Sequence, residues 1–220
     1  MGKYVNLRNE RLGIAKRMNS GLMATIIGYR DSHDMDIAFS NGCVVKGVRY
    51  DRFNIGQIKC PLIIEQIDDY AKVTNPNTDF CWLMDIEDLP LLDGRLWNNI
   101  DGYVARSTNP GTVRLHRLIM NAPDDVEVDH ADGNRLDIRK KNLRVATHAE
   151  NQRNTGKPIT NTSGYKGVSW RKANNKWTAY IGVDGKPVWL GYFSNKKDAA
   201  MAYNEAAIKY YGEFARLNEI

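Results

Sequence analysis

The sequence predicts an α+β chain divided into several small domains rather than one large core. Three observations carry this. Short β-branched segments separated by Gly, Asn and Asp fill residues 1–60. A carboxylate–imidazole pair, Asp129-His130, precedes a run of asparagines. Residues 161–220 read as three strands and one amphipathic helix. At 220 residues the chain has room for such a division.

The formal net charge is +5, unevenly placed. Residues 1–60 carry 10 Lys+Arg against 5 Asp+Glu, residues 61–110 carry 3 against 9, residues 111–160 carry 9 against 7, and residues 161–220 carry 9 against 5. Two basic ends around an acidic segment fit two footprints on a polyanion. Charge alone favours the blander reading of ordinary solvated surface. Cys43, Cys60 and Cys81 lie far apart with no CxxC pair, so a thiolate zinc site is not expected. The start, MGKYVNLRN, has no apolar signal region, and no run reaches a membrane span. A reducing, intracellular setting is expected.

In residues 1–60, GLMATIIGYR, DMDIAFSNG and VVKGVRY predict three strands. Asn41-Gly42 predicts a type I′ hairpin turn, which needs positive φ at both residues. So many short strands in so few residues suggest a small SH3-like β-barrel closed by Pro61. Lys46, Arg49 and Arg52 tilt it toward an accessory DNA clamp over a structural role. Residues 61–80, with Pro76 between asparagines, are expected to be a connection with some ordered structure. Residues 81–158 form the central domain: acidic at first, with Trp82 and Trp97, then DGYVARS and TVRLHRLIM as strand followed by strand or helix.

Hydrolysing a phosphodiester needs a deprotonated water, a charge sink at phosphorus and a stabilised leaving oxygen. His130 suits the first, since its ordinary pKa lies near neutrality. One divalent ion supplies the others. Mg²⁺ prefers oxygen ligands and is held by one or two protein groups. Asp129 offers one, and an amide oxygen from a following helix offers a second. Consecutive strand side chains point to opposite faces, so Asp129-His130 is expected at a strand end or bulge. The turn Asp132-Gly133-Asn134 supports that. A helical turn over 138–142, a short strand over 143–145 and a helix from Thr147 or Ala149 should follow. Arg144 or Arg153 adds charge near the phosphate. His33 and His148 are read as surface residues.

In residues 163–218, turns at Asn174-Asn175 and Asp184-Gly185 divide three strands. Asn195 caps a helix over Lys196–Tyr211, with Asp198 in the capping-box position. Ala199, Tyr203, Ala206 and Tyr210 make one apolar stripe, and Gly212 stops it. One helix covers one face of the sheet and leaves the other open. For residues 161–190, five basic residues face one acid, which favours an open face toward DNA.

The segment LHRLI…VDHADGN…NLRVAT…ENQRN resembles the HNH endonucleases of phages and mobile introns, which have a ββα-metal fold. That resemblance implies His130 as general base, Asn142 as the catalytic residue that bridges the loop and holds the base, and Asp129 and Asn151 as metal ligands. Asn154 is the second choice for that helix ligand. His116 and Arg144 take supporting roles. The stretch YKGVSWR…KWTAYI…VWLGYF…DAAMAYNEAAIKYYG resembles the AP2 DNA-binding domain, whose three-stranded sheet enters the major groove. DNA contacts then fall on Lys166, Ser169, Arg171, Lys176, Tyr180 and Trp189, with Trp170 and Trp177 as further candidates and Trp177 assigned rather to the core. Where plant members carry several arginines this chain has Ser169, Gly182 and Pro187, so their target sequence does not transfer. Together the resemblances imply a site-directed, Mg²⁺-dependent endonuclease of homing type acting on double-stranded DNA. It would nick, accept Mn²⁺ in place of Mg²⁺, use no zinc, and need no membrane or obligate protein partner. It would be encoded by a phage or mobile element and work in the cytoplasm of a bacterial host. The alternatives are a DNA-binding regulator with an inactive nuclease site and an RNA-processing enzyme.

Overall fold

The computed structural model describes residues 10–220; the amino-terminal MGKYVNLRN, and the reading made of it, lie outside them. The chain divides into two compact units. The first runs to Ile119 and includes Arg135–Arg139, and the second comprises Met120–Asn134 and Lys140–Ile220.

The first unit begins with β1 (Ala15–Arg17), β2 (Met23–Asp31), β3 (Asp34–Phe39) and β4 (Val44–Val48), an antiparallel meander in that order. In β3, Met35, Ile37 and Phe39 are buried, the period of two that one covered face requires. Among the described residues the sheet is open, with β1 and β4 at its edges, so the expected closed barrel is not formed. Phe53, from the short helix α1 (Tyr50–Asn54), and the following Ile58 and Cys60 pack into the apolar cluster instead. The Asn41-Gly42 turn also differs from expectation. Gly42 has φ +85° but Asn41 is not left-handed; its side chain accepts from Cys43 N at 3.1 Å. The bond mimics a backbone turn and removes the need for a second positive φ. Arg49 pairs with Asp51 at 2.9 Å and Arg52 donates to Gln57, which weakens the clamp expectation.

Residues 61–80 are not a bare connection. They supply β5 (Ile63–Ile67) and β6 (Tyr70–Asn75), which with β7 (Phe80–Asp85) form a second antiparallel meander. Buried Ala71, Val73 and Asn75 alternate along β6, a weak signal because one of them is polar. Asn75 Nδ2 donates to Trp97 O at 2.9 Å, which permits its burial. A third sheet holds β8 (Asn98–Ile100), β9 (Tyr103–Thr108) and β10 (Gly111–Arg114), followed by α2 (Leu115–Ile119). Trp82 and Trp97 are fully buried in this unit. Residues 136–138 lie along β7 through Leu83 N to Leu136 O (2.8 Å) and Ile138 N to Leu83 O (2.9 Å).

The second unit holds a hairpin of β11 (Glu127–His130) and β12 (Leu143–Ala146), the helix α3 (His148–Arg153), and a sheet of β13 (Val168–Arg171), β14 (Lys176–Val183) and β15 (Lys186–Phe193) with α4 (Lys196–Tyr211). Asp184 and Gly185 both have positive φ, as the expected hairpin turn requires. Asn195 caps α4 by accepting from Asp198 N at 2.8 Å. Ala199, Tyr203, Ala206 and Ala207 are buried against the sheet. Tyr210 is exposed; Tyr211 closes the last turn instead, its hydroxyl donating to Gly182 O at 2.5 Å. No helix among the described residues is long and apolar enough to cross a membrane.

Gly167 (φ +75°) marks the tightest approach of sheet and helix: a Cβ there would lie 2.1 Å from the Tyr203 ring and 2.6 Å from Tyr180 O. Gly167→Ala is expected to cost about 3 kcal/mol or more, combining left-handed strain with overpacking. Gly164→Ala, equally left-handed but with nothing within 4 Å, should cost about 1–2 kcal/mol. Urea unfolding of both variants checks the difference; equal losses would show that the close approach carries no weight.

Candidate functional site

Antiparallel register sets Asp129 opposite Arg144 and His130 opposite Leu143, with Glu127 opposite Ala146. Alternation puts Glu127 and Asp129 on one face of the hairpin, and α3 packs there. His130 ends β11, as expected for a pair that regular strand geometry would separate. The chain then turns: Gly133, at φ +78°, donates its N–H to His130 O at 2.8 Å.

Asn142 closes this turn. Its Oδ1 accepts from Asp132 N at 3.0 Å, its backbone O accepts from Ala131 N at 2.8 Å, and its Nδ2 lies 3.5 Å from Asn134 O. Helix α3 is fixed by a full capping box between Thr147 and Glu150. Donation to Glu150 Oε2 from the Thr147 backbone N–H, and then from its hydroxyl, holds the Glu150 carboxyl below its ordinary range.

Asp129 is 5% exposed. Its Oδ2 accepts from Arg144 Nε at 2.8 Å and Nη2 at 2.7 Å, and Asn154 Nδ2 lies 3.0 Å from both carboxylate oxygens. The same Nδ2 lies 2.8 Å from His130 O. Asn154 therefore touches Asp129, whereas Asn151, expected beside it, donates to Glu127 Oε2. Glu127 Oε1 in turn lies 2.7 Å from His148 Nδ1. Sequence reading missed Glu127; His148, read as a surface residue, is exposed and meets Glu127 from there. The signal was available: Glu127 lies two residues before Asp129, on the same strand face. Arg144 is committed, with Nη1 donating to Glu213 O at 2.5 Å and its guanidinium 4.1 Å above the Phe214 ring, so its expected supply of charge to a phosphate is not what this geometry provides. His116 belongs to the first unit, 3% exposed, with its ring 5.2 Å from that of Tyr103.

His130 is 4% exposed, a low value for a base that must meet water. Among the described residues no three His, Cys, Asp or Glu side chains form a metal cage. The donors present fit a hard ion held by few protein ligands: the Asp129 and Glu127 carboxylates and the amide oxygens of Asn151 and Asn154 are all oxygen donors.

The C-terminal sheet has a second face away from α4. Register puts Ser169 beside Thr178, Arg171 beside Lys176, Thr178 beside Tyr192 and Tyr180 beside Trp189. Ser169, Arg171, Lys176, Tyr180 and Trp189 thus share the open face. Thr178 and Tyr192 join them, unanticipated: Thr178 follows the period of two along β14, whereas Tyr192, three residues from Trp189, reaches this face through the register shift between Ala179 and Tyr180. Trp189 and Tyr192 meet edge to face at 5.2 Å, and Trp189 Nε1 lies 3.3 Å from Thr178 Oγ1. Trp177 packs against the core, with Trp170 edge-on at 5.1 Å. Lys166 is a correction. Its ammonium donates to Arg153 O at 2.7 Å and Thr155 O at 2.5 Å, so it ties the sheet to the end of α3. Burial, then the nearby Arg216, push it from the ordinary 10.5 down to about 8.

Two family models match the chain: an HNH endonuclease over residues 113–153 and an AP2 domain over residues 163–213. Protein 3.8 of Escherichia phage T7 is 42% identical over 64 residues, 29% of this chain and 53% of that protein. An uncharacterized HNH endonuclease of Acanthamoeba polyphaga mimivirus is 32% identical over 129 residues, 54% of this chain and 66% of that protein. An ethylene-responsive transcription factor of Arabidopsis thaliana is 46% identical over 56 residues, 24% of this chain and 30% of that protein. The chain therefore spans less than two thirds of the length of each of these relatives. No solved structure matches.

Removing the guanidinium in Arg144→Ala leaves the Asp129 carboxylate buried without its countercharge, and a loss of about 3 kcal/mol is expected in urea unfolding. A loss under about 1 kcal/mol would mean that water takes over the pairing. Lys166 gives a pH signature. Its folded pKa lies below the unfolded one, so the native state binds fewer protons between them and stability should rise with pH from about 8 to 10.5. In Lys166→Met that rise should flatten in urea midpoints taken across the same range; an unchanged rise would assign it to another group.

Proposed function

We propose that this chain, which carries an HNH endonuclease domain followed by an AP2 domain, is a site-directed endonuclease that hydrolyses one strand of duplex DNA and belongs to the homing type. The observation that supports this most is the turn after β11: His130 stands at the strand end, and Asn142 holds the following backbone through its side chain and its carbonyl.

In this reading the open face of the C-terminal sheet enters the major groove, where a ribbon of strands fits. Arg171 and Lys176 meet phosphates or base edges, and Tyr180, Trp189 and Tyr192 supply flat apolar surface. Asp129, with Asn151 or Asn154, holds one Mg²⁺, for which Mn²⁺ substitutes. When bound, that ion polarises the scissile phosphate and stabilises the leaving oxygen. His130 takes the proton from the attacking water, and Asn142 keeps the imidazole's loop in place. Because the ring is almost fully buried, DNA engagement has to uncover it, and the exposed turn 131–134 is the segment next to it. A single site of this kind cuts one strand per encounter. Phage or mobile-element origin and work inside a bacterial cell belong to the same reading.

A second reading is a DNA-binding regulator whose nuclease site is idle. The low exposure of His130 and the Arg144 engagement of Asp129 favour it. Supercoiled plasmid separates the two. The nuclease reading expects relaxation with Mg²⁺ or Mn²⁺, abolished by EDTA, reduced at least 100-fold in His130→Ala and retained in His148→Ala. Plasmid binding with no nicking under either ion would leave the regulator.

A further inference from the structure

The first unit contains a cationic site outside both the hairpin and the C-terminal sheet. On β10, Arg114 stands opposite Ala105 of β9, which makes it the diagonal neighbour of Tyr103 on the same sheet face. Its guanidinium carbon lies 4.8 Å from the centre of the Tyr103 ring. Arg135, brought in by the 135–139 excursion, lies 4.5 Å from the same centre, and its Nη1 is 3.4 Å from Asp101 O. The buried His116 ring packs against Tyr103 as well. Both arginines are exposed.

Their electrostatic setting differs from that of the closely ion-paired arginines. Arg30, Arg49, Arg95, Arg139 and Arg144 each have a carboxylate within 2.9 Å. Among the described residues, none lies within 4.0 Å of a nitrogen of Arg114 or Arg135. Two guanidinium groups on one ring without a countercharge repel each other until an anion arrives. The ring also holds them by cation–π attraction, so less side-chain freedom is lost on binding. Planar, weakly hydrated forks of this kind match phosphate oxygens in pairs.

We propose that Arg114 and Arg135, stacked on Tyr103, clamp the phosphodiester backbone of duplex DNA. The site would add a sequence-independent hold to that of the C-terminal sheet. This rests on the reading of the chain as a DNA-binding nuclease.

The test is equilibrium binding of the full chain to a labelled duplex, by fluorescence anisotropy over a salt series. Phosphate contacts release about 0.9 counterions each, so Arg114→Gln/Arg135→Gln should lower the slope of log K against log salt by about 1.8. Affinity should fall roughly tenfold at physiological salt, by a similar factor on random-sequence duplex, because such contacts carry no sequence information. Tyr103→Leu should weaken binding less. Circular dichroism and thermal midpoints of each variant establish that the fold is intact. Arg171→Gln/Trp189→Ala is the control for the wider reading. If that variant loses affinity while the clamp variant keeps the wild-type slope, the clamp is overturned and the DNA reading stands. If the unaltered chain binds no duplex, both fall.

Discussion

The second unit depends on one guanidinium. Arg144 stands across the hairpin from Asp129, donates two bonds to its Oδ2, reaches Glu213 O with its remaining nitrogen and lies flat over Phe214. A buried carboxylate needs this: charges removed from water are tolerated when paired and hydrogen-bonded. The same side chain therefore neutralises the site's principal anion, pins the strand register and binds the nuclease-type hairpin to the segment following α4. Arg216 adds a second tie, to Asp132 O, and Lys166 a third, to the end of α3. The two domains that resemblance separates at residues 158 and 163 consequently form one compact unit.

That tie has a consequence under the proposed reading. A recognition sheet joined through a floppy linker would leave the position of cutting loosely defined. Here side chains rather than linker length set the distance between the paved sheet face and the turn after β11. Exchanging Arg144 or Lys166 for shorter residues alters that geometry as well as stability. The same engagement also opposes the chemistry, since Arg144 already occupies the carboxylate that an incoming cation would use.

Strand alternation organises the site in a second way. Glu127 and Asp129 face α3, where Asn151, Asn154 and His148 meet them; His130, one residue on, points the other way at the strand's end. A slip of one residue in the β11–β12 pairing would exchange these faces and bury neither carboxylate beside its partner. Val128 and Leu143, both buried and diagonal neighbours on the other face, oppose that slip.

The C-terminal unit was almost wholly legible in the sequence, because its signals are local. A period of two, Asn and Gly at turn positions, and a cap three residues before its donor each act within a few residues. The strand–turn–helix order around His130 was legible for the same reason. The N-terminal barrel was not: whether a meander closes depends on what covers its apolar face, and here Phe53, Ile58 and Cys60 do. Nor could residues 61–80 be read as strands, since a buried Asn75 disguises their alternation until Trp97 O and Asn98 Oδ1, more than twenty residues away, supply its bonds. Likewise Asp129, His130 and the asparagines of the site were legible in the sequence, whereas tertiary packing brought in Glu127 and decided which asparagine meets which carboxylate. One helical turn separates Asn151 from Asn154, and only the seating of α3 on the hairpin assigns the first to Glu127 and the second to Asp129.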